Sequence, residues 1–263
     1  MIEQVLINGL VLSANYALLA LGITLIFSIM NLVNFAHGQL FMLGGFMVYY
    51  VCAVFGLPYP LGLLAAVVVP GGIGYLFQVG LFKPVMRRAE REENSMLLAV
   101  GTAQLLENVA LSLFGEKQRQ ISPIVSGVYR IGEAFLPANR LLVMVLSLLL
   151  IAATLLFVYC TKIGRAMRAL AQDRQATLLM GVDVDRISAL GFAVGAALAG
   201  IAGGLLVSVV GVNAGVGMSV STKAFIMIMV GGAGVMSGAL LGAVVLGMVE
   251  AIGYAIFPGS VTY

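Results

Sequence analysis

The side chains of this sequence that could do chemistry are few, and four of them interrupt long apolar runs. They are Asn34, His37, Gln39 and Glu107, and His37 is the only histidine of the chain. If such runs cross a membrane, a polar side chain within them is costly and usually faces a cavity or a partner. These four residues are therefore candidates for a translocation path. Two interpretations of His37 stay open: it exchanges a proton, or its ring satisfies backbone groups where residues 31–38 break a helix.

Enzymatic chemistry has little support in the sequence. The two cysteines, Cys52 and Cys160, lie in apolar runs, and no His/Cys/Asp cluster has metal-ligand spacing. The chain contains neither an H-E-x-x-H motif nor a G-x-x-x-x-G-K-[ST] phosphate loop. We expect no catalytic residue, no cofactor, no metal and no ATP site in this chain. The role of Glu250, in the last apolar run, is undetermined between an interhelical pair and an interfacial position.

One charged stretch, "GRAMRALAQDRQATLLMGVDVDRI" (Gly164–Ile187), lies between two apolar runs. Its apolar residues recur at helical spacing, which predicts one amphipathic helix over Gly164–Met180 with Arg165 and Arg168 on its polar stripe. Gly181 is expected to end that helix, because glycine tolerates the left-handed conformation. An Asp in the following "VDVDR" is expected to cap the next helix, either Asp183 or Asp185.

Two interpretations of this amphipathic segment are open. It is an interfacial helix whose arginines meet anionic lipid, or it is a rigid polar surface on which a soluble partner docks. Periodicity alone does not choose between them.

The composition indicates that these residues are positioned by a membrane protein. Hydrophobic residues make up 61% of the chain and charged residues 10%, and the mean hydropathy is +1.09. No charged residue occurs between Glu3 and Lys83. Because the apolar runs are continuous and do not alternate, we predict an all-α, polytopic transmembrane helix bundle and no β-barrel. No aromatic-plus-basic pattern suggests a nucleic-acid partner.

We predict about seven to eight membrane segments, including short or broken helices, in a single transmembrane domain over residues 1–263. Pro70 is expected to kink the third span. A shorter apolar piece, Ala224–Val230, is expected to be a half-helix or a re-entrant segment. The seven longer candidates are Val5–Met30, Leu40–Phe55, Leu61–Phe82, Ser95–Phe114, Leu141–Cys160, Ile187–Val210 and Ala239–Phe257.

The basic residues predict an orientation. Loops 83–94 and 161–186 fall on one side of the membrane by span count, and they hold nine Lys and Arg residues against four in loop 116–140. Basic loops favour the cytoplasm. We therefore expect loops 83–94 and 161–186 to be cytoplasmic and the amino terminus to be outside.

Small residues suggest how the helices pack. Glycines recur at four-residue spacing, as in Gly200/Gly204 and Gly234/Gly238/Gly242, which lets helix backbones approach closely in lipid. Asn31–Gly45 and Met229–Gly242 both interrupt apolar runs with small or polar residues. Paired interruptions of this kind often mark the central site of a transporter.

The charged stretch resembles the cytoplasmic loop of branched-chain amino acid ABC transporter permeases of the LivH type. "NFAHGQLFMLGGF" (Asn34–Phe46) resembles a second hallmark of that family, and the resemblance covers essentially the whole chain. The chain ends in "YAIFPGSVTY", whereas the family usually continues with another apolar span, so a truncated carboxyl terminus is an expectation. Glu107 stands where the family tends to carry an amide. The loop pattern falls on Gly164, Arg165, Ala166, Arg168, Ala169, Ala171, Asp173, Ala176, Leu179, Gly181, Val182 and Arg186.

The resemblance implies a subunit of a multi-pass importer in a prokaryotic inner membrane. Loop 161–186 would be the coupling helix that inserts into a cleft of a separate cytoplasmic ATP-binding subunit. Substrate would arrive on an external binding protein, and the path would form with a second related permease subunit. The residues expected to carry the coupling are Gly164, Arg165, Arg168, Asp173, Gly181 and Arg186.

The cargo implied is a branched-chain amino acid, namely leucine, isoleucine or valine. An alternative keeps the machine and changes the cargo to urea, short amides or other amino acids. A different class, an ATP-independent channel or secondary transporter, would leave the charged loop unexplained, although Glu107 and Glu250 are compatible with it.

Overall fold

The computed structural model describes residues 2–31, 34–88 and 93–257 of the chain. Its described residues form an all-α bundle with one small β-hairpin. Seven helices are long and apolar enough to cross a membrane, and an eighth apolar helix is shorter. The helices are α1 Ile2–Met30, α2 His37–Tyr49, α3 Tyr59–Phe77, α4 Lys83–Arg88, α5 Glu93–Phe114, α6 Ala138–Cys160, α7 Lys162–Gln172, α8 Arg174–Leu179, α9 Val184–Leu206, α10 Val216–Gly231 and α11 Met236–Ile256.

Two of the spanning helices contain π-type turns. α2 continues through Tyr50–Val54, and α3 continues through Gln78–Phe82 into α4. Pro70 lies inside α3 and does not interrupt it. The predicted spans therefore match the observed helices with end shifts of a few residues, and the fourth candidate, Ser95–Phe114, coincides with the observed span.

One end of the bundle carries the hairpin, and we call it the hairpin face. Strands β1 (Val128–Ile131) and β2 (Ala134–Pro137) pair antiparallel. The carboxylate of Glu3 accepts a hydrogen bond from the backbone N–H of Glu133 at 2.9 Å, so the start of α1 lies at this face. The segment after α9 lies there too, because the backbones of Arg119 and Val212 exchange hydrogen bonds.

The opposite end carries α4, α7 and α8, and we call it the α7–α8 face. The ammonium of Lys83 lies 3.1 Å from the carboxylate of Asp185, which joins the end of the third span to the start of α9. The described part of loop 83–94 and loop 161–186 thus share one end, as the span count predicted. Arg91 of the first loop lies outside the described residues, as does the carboxyl end beyond Phe257.

The core is built around α1 and α9. α1 is apolar on all sides and is buried along most of its length. α9 packs against α1, α2 and α3, and small residues permit close crossings. A Cβ on Gly44 of α2 would overlap the backbone of Gly200 on α9, so these helices touch backbone to backbone. In lipid the hydrophobic effect does not drive helices together, so they associate through close packing at small residues.

Candidate functional site

The break between α1 and α2 places two of the candidate path residues inside the bundle. The Nε2 of His37 donates to the carbonyl of Leu19 at 3.2 Å. Leu19 lies eleven residues before the end of α1, which corresponds to roughly 16 Å along the helix. α2 therefore starts beside the middle of α1, inside the bundle, and is a discontinuous helix.

The side chains at this break satisfy backbone groups. The Oδ1 of Asn34 accepts from the N–H of Ala36 at 3.0 Å, so the role expected of the His37 ring is performed by Asn34. The His37 ring instead joins α2 to α1 through Leu19. Both side chains are fully buried. A function of His37 in proton exchange stays an untested hypothesis.

α10 begins beside the start of α2. The hydroxyl of Ser221 accepts from the N–H of Gly38 at 3.0 Å and donates to the carbonyl of Phe35 at 2.8 Å. Helix α10 has 16 residues, and residues 207–215 lead to it from the hairpin face. The expected short helix is thus present, but it starts at Val216 and not at Ala224.

Of the two predicted interruptions, only the first lies where the discontinuous helices meet. The first interruption is present, because α1 ends at Met30 and α2 begins at His37, beside α10. The second stretch, Met229–Gly242, contains the turn between α10 and α11, which lies near Met167 and Arg168 at the α7–α8 face. The segment that meets the first break is the one before α10. Its glycines and Asn213 were not recognised as an interruption because they adjoin the end of the α9 run.

Gln39 and Glu107 contact each other across two helices. The amide nitrogen of Gln39 donates to the Oε2 of Glu107 at 3.3 Å, and Gln39 is fully buried. Glu107 is half-buried, whereas Gln104 and Asn108 on the same helix are exposed. A strip of polar side chains therefore lies on α5, in the middle of an apolar span.

A cavity among the described residues lies elsewhere. It has a volume of about 240 Å³, and its wall includes Gln118 and Gly211 at the hairpin face. None of the four candidate path residues lines it. The remaining wall residues are Tyr16, Leu19, Phe41, Leu206, Val210, Asn213, Val216, Ser219, Val220 and Lys223.

Lys223 was missed as a site residue. Its Nζ donates to the Oε1 of Glu250 at 2.7 Å, which shows that Glu250 makes an interhelical ion pair. A signal was present in the sequence, because Lys223 is the only charged residue between Arg186 and Glu250. A lysine in a run of that kind indicates a functional position.

The charged segment between α6 and α9 folds as two short helices. The hydroxyl of Thr161 accepts from the N–H of Gly164 at 3.0 Å and caps α7. A Cβ on Gly164 would overlap the carbonyl of Val158, so the tight turn from α6 into α7 requires glycine. Met167 and Leu170 are buried, as their spacing predicted.

The prediction of one continuous helix over Gly164–Met180 is wrong. Asp173 is extended, with φ −152° and ψ 110°, and separates α7 from α8. Its Oδ1 accepts from the N–H groups of Gln175 at 2.8 Å and Ala176 at 3.0 Å. The side chain therefore competes with the helix and caps a new one, which is the usual behaviour of Asp near backbone N–H groups.

The remaining expected coupling residues are Arg165, Arg168, Gly181 and Arg186. Gly181 has φ +77° and ends α8, as predicted, and of the two Asp candidates it is Asp183 that caps α9, through the N–H of Arg186. The guanidinium of Arg168 stacks 4.9 Å over the ring of Tyr159 and is half-buried. Arg165 and Arg186 are exposed.

The exposed end of α8 is apolar, which periodicity did not reveal. Leu179 is 89% exposed and Met180 is 82% exposed, and Leu178 beside them is exposed as well. Capped at Asp173 and stopped at Gly181, this end has a fixed shape. We call residues 178–180 the α8 tip.

Together, the spanning helices and the two discontinuous helices that meet among buried polar side chains define a multi-pass membrane transport protein. The profile of the family described as the permease component of the branched-chain amino acid transport system matches residues 5–262. The chain belongs to that family.

Several relatives support this membership along almost the full length. The high-affinity branched-chain amino acid transport system permease protein BraD of Pseudomonas aeruginosa is 33% identical over 268 residues, covering 97% of this chain and 87% of BraD. Its LivH counterpart in Escherichia coli strain K12 is 29% identical over 266 residues, covering 96% and 86%. A probable LivH permease of Methanocaldococcus jannaschii is 29% identical over 263 residues, covering 95% and 81%. No solved structure matches the chain.

Proposed function

We propose that this chain is the membrane-spanning permease subunit of an ABC importer for branched-chain amino acids. It forms part of the path for leucine, isoleucine and valine and is driven by a separate ATPase. Membership of the permease family supports the general role. The printed names of BraD and LivH, which refer to branched-chain amino acid transport, support the cargo.

The observation that carries the coupling role is the α7–α8 pair with its tip. Two capped helices hold Leu179 and Met180 away from the bundle at the basic end. Exposed apolar side chains at the centre of a polar rim are typical of surfaces that bind another protein. Arg165, Arg186 and the α8 tip would contact the ATP-binding subunit, while Gly164, Arg168, Asp173 and Gly181 would hold the tip in position.

The proposal includes an orientation and partners. The α7–α8 face is cytoplasmic, the amino terminus is outside, and residues 1–263 act as one permease domain in a prokaryotic inner membrane. A second related permease subunit would complete the path, and an external binding protein would deliver the substrate. The polar strip of Gln104, Glu107 and Asn108 is compatible with a position beside that second subunit, since lipid does not solvate it.

The test is uptake of labelled leucine and labelled urea, side by side, in cells with and without this gene. We expect loss of leucine uptake alone, restored by the wild-type gene. Replacing Arg165, Arg168 and Asp173 together is expected to abolish the rescue while the protein still inserts. Normal ATP-driven uptake by that triple variant would contradict the coupling assignment.

Two other results would change the proposal. Loss of urea uptake alone would keep the machine and change the cargo to urea or a short amide. Leucine uptake that persists without any ATP-binding subunit would instead favour a channel or a secondary transporter.

A further inference from the structure

Four side chains form an ion-pair cluster between α1, α10 and α11. The Nζ of Lys223 donates to Glu250 at 2.7 Å and to the hydroxyl of Tyr16 at 3.0 Å. Tyr16 donates to the second carboxylate oxygen of Glu250 at 2.6 Å, and Tyr254 donates to the first at 3.0 Å. The carboxylate is therefore held by three donors, and its position is well defined.

The cluster adjoins the cavity at the hairpin face. Lys223 and Tyr16 line that cavity, whereas Glu250 and Tyr254 do not. Glu250 is thus the counter-ion of a lysine that lines the cavity, without lining the cavity itself. The side chains of Lys223 and Glu250 are 25% and 12% exposed, so both are largely removed from solvent.

The rest of the cavity is suited to a small amphipathic ligand. Leu19, Leu206 and Val220 contribute apolar wall, and Asn213 and Ser219 contribute polar groups. At about 240 Å³ the cavity is smaller than the roughly 300–1,000 Å³ of drug-sized sites. A ligand with one short branched apolar group and one charged end fits these properties.

The charge at the wall indicates which end would bind. Lys223 lines the cavity together with Val216 and Ser219 of the first turn of α10, and the amino-terminal end of a helix carries partial positive charge. Both favour an anion. Phosphate-sized dianions are disfavoured, because the Glu250 carboxylate already offsets much of the positive charge.

We propose that Lys223, held by Glu250 and Tyr16, binds the carboxylate of an amino acid in this cavity during its passage through the permease. The apolar wall accommodates the branched side chain, and Ser219 and Asn213 accept from the substrate ammonium. This site rests on the proposed function and extends it, because it assigns a substrate contact to the permease itself.

The test is protection of a cysteine placed in the cavity wall. Ser219→Cys is introduced into the complete transporter with Cys52→Ser and Cys160→Ser, and modification by a small thiol reagent is followed over time. 4-Methylpentanoate, which is leucine without its ammonium, is expected to slow modification about tenfold at ten times its dissociation constant. Isopentylamine, which lacks the carboxylate, is expected to leave the rate unchanged.

The charge pair supplies the matched variants. Lys223→Met with Glu250→Gln removes both charges and leaves no buried charge alone, and it is expected to abolish protection by 4-methylpentanoate. Lys223→Arg keeps the charge and is expected to retain protection. Equal protection in the double variant, or protection by isopentylamine in the parent, would overturn the proposal and leave the pair with a purely structural role.

A failure of this carboxylate site can be distinguished from a failure of the proposed cargo. If cells fail to take up leucine but 4-methylpentanoate still protects Ser219→Cys in a Lys223-dependent way, the carboxylate site stands and the cargo is wrong. If leucine uptake is normal and no carboxylate protects the cysteine, the cargo stands and the site is wrong.

Discussion

At the residue scale, the polar side chains inside this bundle mostly connect elements. Asn34 satisfies the backbone at the start of α2, and His37 bonds to α1. Ser221 ties α10 to α2, and Glu250 joins α11 to α10 and α1. Buried polar groups are tolerated when they are hydrogen-bonded, so each of these side chains also fixes the position of a helix.

Asp173 provides a prediction at this scale. Asp173→Ala removes the cap of α8, which typically costs about 1 kcal/mol of helix stability, and we expect leucine uptake to fall because the α8 tip is no longer held. Asp173→Asn keeps a capping oxygen and is expected to retain uptake. Leucine uptake and the amount of the variant protein in the membrane are measured together. An equal loss of uptake in both variants would show that the charge matters and not the cap.

Single residues were predictable where one local rule decided the conformation. The stop at Gly181 and a cap by either Asp183 or Asp185 were predicted correctly, because helix ends depend on a few neighbouring backbone groups. Asp173 was placed inside a helix because the apolar periodicity continues on both sides of it. The Lys223–Glu250 contact joins residues 27 apart in sequence, and no local pattern pairs them.

At the element scale, two discontinuous helices distinguish this bundle from a simple set of spans. α2 and α10 both begin inside it, and the hydroxyl of Ser221 bonds to the N–H of Gly38 and the carbonyl of Phe35. Backbone outside a helix is tolerated at membrane depth only where protein or a cavity shields it. The cavity beside the first turn of α10 agrees with that rule.

Ser221→Ala tests this junction. The change leaves the N–H of Gly38 and the carbonyl of Phe35 without the hydroxyl, so we expect a loss of about 1–3 kcal/mol and a lower melting temperature. Thr222→Ala is the control, because the Thr222 hydroxyl is exposed and bonds only within α10, to Met218. A melting temperature that falls equally in both variants would argue against the junction.

The elements themselves were largely readable from hydrophobicity. Continuous apolar runs of sufficient length gave seven spans that the structure confirms, with boundaries displaced by a few residues. The start of α10 was missed because residues 207–223 mix Gly, Asn, Ser and Lys with apolar residues. Such a segment becomes helical by packing against α2, which is a tertiary effect.

At the scale of the whole molecule, the two ends of the bundle differ in character. The hairpin face carries the β-hairpin and part of the cavity wall, whereas the α7–α8 face carries the capped helix pair. Long exposed apolar surfaces on α3, α5, α6 and α11 separate these ends. This division suits a protein that receives cargo at one end and a mechanical input at the other.

The orientation is testable by cysteine labelling of intact cells. In a chain with Cys52→Ser and Cys160→Ser, Ser126→Cys at the hairpin face is expected to react with an impermeant thiol reagent. Gln172→Cys at the α7–α8 face is expected to react only after the membrane is permeabilised, because the more basic end faces the cytoplasm. The reverse labelling pattern would invert the topology and separate the α8 tip from any cytoplasmic ATPase.

The most direct measurement is ATP-dependent uptake of labelled leucine into vesicles that contain the complete transporter, with Leu179→Glu or Gln175→Glu in this chain. Leu179→Glu places a charge at the apolar tip and is expected to reduce uptake at least tenfold, equivalent to about 1.4 kcal/mol or more of lost docking energy. Gln175→Glu adds the same charge at the start of α8, where it is favourable, and is expected to leave uptake nearly unchanged. Wild-type uptake by the Leu179→Glu variant would contradict coupling through the α8 tip.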